Sequence, residues 1–87
     1  MAPTVFRTQK VRFVIYTRDH KPPHVHAIKG DFEAEAKIDL ESLEVLSSRG
    51  FTTSALKLLQ AEVGCRQGKL MEVWNEIQSE DKENGEE

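Results

Sequence analysis

At 87 residues, with 38% apolar and 31% charged side chains, the chain has material for one small domain with a modest core, not for a multidomain enzyme. Its one cysteine, Cys65, excludes an internal disulfide framework and a cysteine-built zinc site. No apolar run reaches the length of a signal peptide or a membrane span, so the expected location is the cytoplasm and no membrane partner is expected.

Net charge is −3, but the signs are unevenly spread. Residues 1–30 carry six basic side chains, Arg7, Lys10, Arg12, Arg18, Lys21 and Lys29, against the single acid Asp19. Residues 79–87 carry five acids and one lysine. A basic front suits an anionic ligand such as RNA, a nucleotide or phosphate. Solvated strand edges and a solubilising tail account for the same charges without one.

Residues 1–10 read as extended or loose. From Val11 to Thr17 the chain is rich in β-branched and aromatic residues and reads as a first strand. Pro22 and Pro23 stiffen the connection that follows. A second strand is expected from His24 to Lys29, then a two-residue turn at Gly30-Asp31. Phe32, Ala34, Ala36, Ile38 and Leu40 alternate with Glu33, Glu35, Lys37 and Asp39, which predicts a third strand with one face buried. That turn would set Lys29 opposite Phe32, His26 opposite Glu35 and His24 opposite Lys37. His24, His26 and Glu35 would then share the face turned away from the core.

Residues 41–51 fit either a short extended piece or a helical turn. Thr52 is a helix N-cap candidate, and Leu56, Val63, Leu70 and Ile77 keep one phase at seven-residue spacing. Trp74 joins that stripe and is expected in the core. Gly64 and Gly68, at roughly 1 kcal/mol each inside a helix, predict a kink or break near 64–68. The acidic composition after Gln78 predicts a disordered tail over 79–87, leaving residues 1–78 as the domain. The expected fold is α+β, a three-stranded antiparallel meander followed by one kinked or two C-terminal helices packed on one face. A domain this small gains from self-association, so monomer and homodimer both stay open.

All three histidines fall within seven positions, His20, His24 and His26, beside Arg18, Lys21 and the two prolines. A histidine-triad hydrolase would need a third alternate histidine where Ile28 stands, and a cupin would need a further distant histidine. Two readings of the cluster survive. In one, His24, His26 and Glu35, or His20 in place of Glu35, bind a divalent metal such as zinc. In the other no metal is present, and His20, His24 and His26 supply the acid and base for RNA cleavage through its own 2′-hydroxyl. Arg18 and Lys21 would then hold the phosphate, with Tyr16 within reach. The plain alternative is an ordinary His26–Glu35 cross-strand pair and a turn shaped by prolines.

The runs Thr4-Val5-Phe6-Arg7, Arg12-Phe13, Tyr16-Thr17-Arg18-Asp19-His20, Pro22-Pro23-His24-Val25-His26, Arg49-Gly50-Phe51 and Leu70-Met71-Glu72-Val73-Trp74-Asn75 together resemble a bacterial family, domain of unknown function 4160. The resemblance covers residues 2–78, with Asp-His-x-Pro-Pro-His-x-His as its specific core; Gly64 and Gly68 depart from the helix-favouring run expected there. It implies no established reaction. It does imply a two-gene setting beside a small protein partner, like a toxin–antitoxin pair. The leading expectation is therefore a domain that binds RNA or a nucleotide, with a ribonuclease-like toxin component as its sharpest form. The other is a non-enzymatic protein-interaction module with a structural or metal-binding histidine corner.

Overall fold

The computed structural model describes residues 4–8, 10–16 and 22–85, the side chains of residue 4 and of residues 79–85 excepted. Five strands come first: β1 (Thr4–Thr8), β2 (Val11–Val14), β3 (His24–Lys29), β4 (Ala34–Asp39) and β5 (Val45–Arg49). Two helices follow, α1 (Thr53–Cys65) and α2 (Gln67–Gly85). The sheet is an antiparallel meander in the order β1-β2-β3-β4-β5. It thus has two more strands than the three expected. The chain read as extended or loose before residue 11 pairs as β1, and the ambiguous 41–51 stretch contains β5. β5 escapes a pattern reading because it is an edge strand, exposed at four of its five residues, and so carries no alternation.

One face of the sheet carries Phe13, Ile15, Val25, Ala27, Ala36, Ile38 and Leu40, all buried. Leu59 and Val63 of α1 and Leu70 and Trp74 of α2 close over them. Each large aliphatic side chain buried there contributes about 1.5–3 kcal/mol relative to exposure. Thr52 caps α1, accepting from the Ala55 N–H at 3.1 Å. The helices part at Arg66, whose backbone (φ −117°, ψ 20°) leaves the helical region between the two glycines, at the break expected from sequence. There the Arg66 guanidinium lies 4.3 Å from the centre of the Phe6 ring, which in turn stacks on Phe13 at 4.2 Å. The break is thereby seated on β1. Residues 79–85, expected from sequence to be part of a disordered acidic tail, lie within α2.

The β3–β4 turn departs from expectation. Four residues, Gly30 to Glu33, form it, and the Glu33 N–H donates to the Lys29 carbonyl at 2.9 Å. Phe32 takes a positive φ of 65° and is 46% exposed, so it leaves the buried alternation assigned to it. The register moves by two residues: Lys29 pairs with Ala34, His26 with Lys37 and His24 with Asp39. An even shift preserves which side chains share a face. The predicted faces hold for residues 24–28 and 34–40, but not for Phe32, although every predicted pair is wrong.

Candidate functional site

Extended backbone sends alternate side chains to opposite faces, so the core on one side of β2, β3 and β4 dictates what stands on the other. Tyr16, His24 and His26 are on that outer side. The His26 ring meets Tyr16 edge-on at 4.6 Å and His24 at 5.0 Å, and His24 reaches round the sheet end to lie 5.6 Å from Trp74. The two strand imidazoles therefore converge, as the alternation predicts.

Each is held through Nδ1. In His24 this nitrogen is 2.7 Å from the Pro22 carbonyl, and in His26 it is 3.3 Å from Glu35 Oε2. Both acceptors are oxygens, so Nδ1–H is the donor and a neutral ring carries its lone pair on Nε2. The His26–Glu35 contact is diagonal, because Ile28 is the residue that pairs with Glu35 through the backbone. Opposite His24, Asp39 accepts from the Glu41 and Ser42 N–H groups at 2.7 and 2.9 Å. Chiefly the Ser42 N–H holds its carboxyl below the usual range against desolvation, with smaller help from Glu41, the Ser42 hydroxyl and His24.

The imidazoles do not project into solvent, as a site reading of the stretch would have them. His24 and His26 are only 6% and 5% exposed, and Val14 and Ile28, which share the outer face with them, are fully buried. No group of three His, Cys, Asp or Glu among the described residues is placed to hold a metal ion, and His24, His26 and Glu35 form no such set. His20, Arg18 and Lys21 lie outside the described residues.

A second feature escaped the sequence reading. The pairing of the five strands sets Arg7, Arg12, Ile28, Glu35 and Arg49 in one row across the outer face. The neighbouring row contains Val14, His26, Lys37 and Ser47. Arg7, Lys37 and Arg49 are exposed. The displaced Phe32 joins this surface: the Arg12 guanidinium lies 5.5 Å from its ring centre, and Arg49 donates to its carbonyl at 3.2 Å. Arg49 also approaches Glu35 at 3.8 Å. The early basic run was a hint, but only the register brings Arg49 into line with Arg7 and Arg12.

Among the described residues, two clefts lie at opposite ends of the sheet. One, about 560 Å³, lies at the His24 end between Pro22-Pro23 and α2, lined also by Glu41, Met71, Trp74 and Asn75. The other, about 440 Å³, lies at the opposite end beside α1, with Lys10, Lys29, Phe51 and Leu58 in its lining. No helix among the described residues is long and apolar enough to cross a membrane.

The family model described as "Domain of unknown function (DUF4160)" matches residues 11–75. The chain belongs to the DUF4160 family. No curated protein and no solved structure matches it.

The DUF4160 segment begins at β2 and ends on α2 with Asn75, so it contains the histidine cluster and the whole lining of the cleft beside Pro22-Pro23. Arg7 precedes it, on β1. Cys65, given no chemical role from sequence, is an exposed free thiol, and Trp74 is 2% exposed within the core.

Proposed function

We propose that this DUF4160 protein binds single-stranded RNA across the outer face of its sheet, without cleaving it. The observation that carries the reading is the row of Arg7, Arg12 and Arg49, with exposed Phe32 lying against two of them. Arginines offer forked donors to phosphate, and an exposed aromatic ring offers a stacking surface to any base. Glu62, Glu72 and Glu76 are on the helices, whereas Glu35 stands in the row itself, 3.8 Å from Arg49, and leaves Arg7 and Arg12 at its other end.

The burial of His24 and His26 argues for binding without cleavage. A general base must come within hydrogen-bond reach of the proton it removes. Two rings at 6% and 5% exposure, each already holding an oxygen through Nδ1, are better suited to framing the surface than to attacking a substrate.

Fluorescence anisotropy of a short labelled single-stranded RNA tests this reading. The dissociation constant should rise with salt, with a log–log slope of about 2–3 if three or four cationic side chains contact phosphate. Arg12→Ala and Arg49→Ala should each lower that slope by about 0.7. Absence of binding at low salt, or a slope unchanged in both variants, would refute the proposal. Loss of intact RNA during the titration would instead restore the nuclease form.

A further inference from the structure

The cleft between Pro22-Pro23 and α2 is built differently from the arginine row. The apolar part of its lining comes from Pro22 and Pro23 before β3 and from Met71 and the buried Trp74 on α2. Its rim is polar, formed by Asn75 and Glu41, both exposed. The walls are fixed to each other through the loop after β4. The Leu40 N–H donates to the Pro23 carbonyl at 2.9 Å, tying the proline wall to that loop. Gln67, at the start of α2, donates to the Leu40 and Glu41 carbonyls at 2.6 and 3.1 Å. Glu41 is thus pinned on both sides, since its own N–H donates to Asp39 Oδ1 at 2.7 Å.

A cleft held in this way, open to solvent and lined by prolines and a methionine, offers apolar surface on which a planar group can lie. A carboxylate on its rim repels phosphate and asks for N–H donors, while a side-chain amide offers one donor and one acceptor. Among the planar groups of RNA, guanine presents two adjacent N–H donors on its Watson–Crick edge, to which one carboxylate can accept in parallel. Adenine and uracil have no such pair. We propose that this cleft is a guanine subsite, with the base between Pro22-Pro23 and Met71 and its Watson–Crick edge against Glu41 and Asn75. The inference rests on the RNA-binding reading above and adds base selection to it. His24 joins the two regions, its ring centre 5.6 Å from that of Trp74 in the cleft lining and 5.0 Å from that of His26 on the outer face.

The chain has one tryptophan, so its emission reports directly on the lining of this cleft. The full-length protein is titrated with GMP, AMP, CMP and UMP while Trp74 fluorescence is followed. GMP is expected to give a saturable change at least about tenfold tighter than the other three, the discrimination of one good bidentate contact. Glu41→Gln should remove most of that preference with an unchanged circular dichroism spectrum, because the side chain is exposed. Asn75→Ala should weaken GMP as well. No saturable change with any nucleotide, or equal affinity for all four, overturns the guanine subsite. So does a GMP preference that survives Glu41→Gln. The two proposals fail separately: labelled RNA bound through the arginines without response at Trp74 leaves the sheet surface standing and removes the cleft. GMP captured in a Glu41-dependent way without RNA binding does the reverse.

Discussion

His26 stands opposite Lys37 in the ladder, yet its Nδ1 is 3.3 Å from Glu35, one pleat along the neighbouring strand. The diagonal places the buried ring against a carboxylate that is 30% exposed and leaves Lys37 to solvent. Glu35 in turn lies 3.8 Å from Arg49 on β5, so one side chain connects the buried imidazole to the exposed arginine row.

That contact predicts a graded response at Glu35. As a hydrogen bond to a mostly buried ring, it is worth about 1 kcal/mol. Glu35→Ala should therefore lower Tm by about 4–8 °C for a domain of this size. Glu35→Gln keeps an oxygen acceptor and should recover most of the loss at neutral pH. Thermal melts of the two variants decide it: equal losses in both would mean that charge, rather than the hydrogen bond, holds the ring.

Asp39 supplies a pH dependence with a definite sign. Its carboxyl is held below its ordinary value, mainly by the Ser42 N–H, so the folded state binds its proton less readily than the unfolded chain. The stabilisation is fully present above the unfolded value, near pH 4, and disappears as pH falls through the lowered folded value. Asp39→Ala should cost about 1 kcal/mol at pH 7, and the gap from wild type should narrow in acid below about pH 4. Urea melts at neutral and acid pH measure this. A gap that stays constant into acid would contradict the assignment.

How much of this could be read from the chain depends on how local each feature is. The outward placement of His24 and His26 relative to the core was legible, because face depends only on parity and the turn lengthened by an even number of residues. Their burial was not legible, since it comes with contacts between distant segments, such as Tyr16 on His26 and Trp74 on His24, that no local pattern encodes. The break between the helices was legible from two glycines and lies at Arg66 between them. Arg49 gave no signal of its own. It joins Arg7 and Arg12 only through four successive strand pairings, and β5 is too exposed to announce its register. The contact of Trp74 with His24 is of the same kind, a meeting of distant segments that no periodicity encodes.

The loop between β4 and β5 is held by two glutamines. Gln60 donates to the Leu43 carbonyl at 2.8 Å, beside a Leu43 backbone with a positive φ of 66°, and Gln67 donates to Leu40 and Glu41. A Cβ at Gly64 would come 3.2 Å from Leu43 Cδ1, so the leucine is also fitted closely against α1. Gln67→Ala should cost about 1 kcal/mol and raise amide exchange at residues 40–44 more than elsewhere. Exchange that rises uniformly along the chain, or not at all, would show that the glutamine is not the clamp.

Gly50 follows the last strand with φ at 87°, in the region that side-chain-bearing residues avoid. A Cβ there would stand 2.8 Å from the Glu33 carbonyl oxygen and 2.9 Å from Ala34 Cβ, inside contact distance of the turn that carries Phe32. Arg49, one residue earlier, donates to the Phe32 carbonyl, so the same close approach seats the arginine on the aromatic turn. Gly50→Ala combines the left-handed backbone penalty of about 1–2 kcal/mol with overpacking of similar size. The sum, about 3 kcal/mol, should lower Tm by roughly 12–24 °C. If β5 is pushed off the turn, Arg49 leaves its row and the salt slope of RNA binding falls even below the melting transition. An alanine variant that melts like wild type would mean that the turn yields easily and that the closeness of Gly50 to Glu33 does not set the position of Arg49.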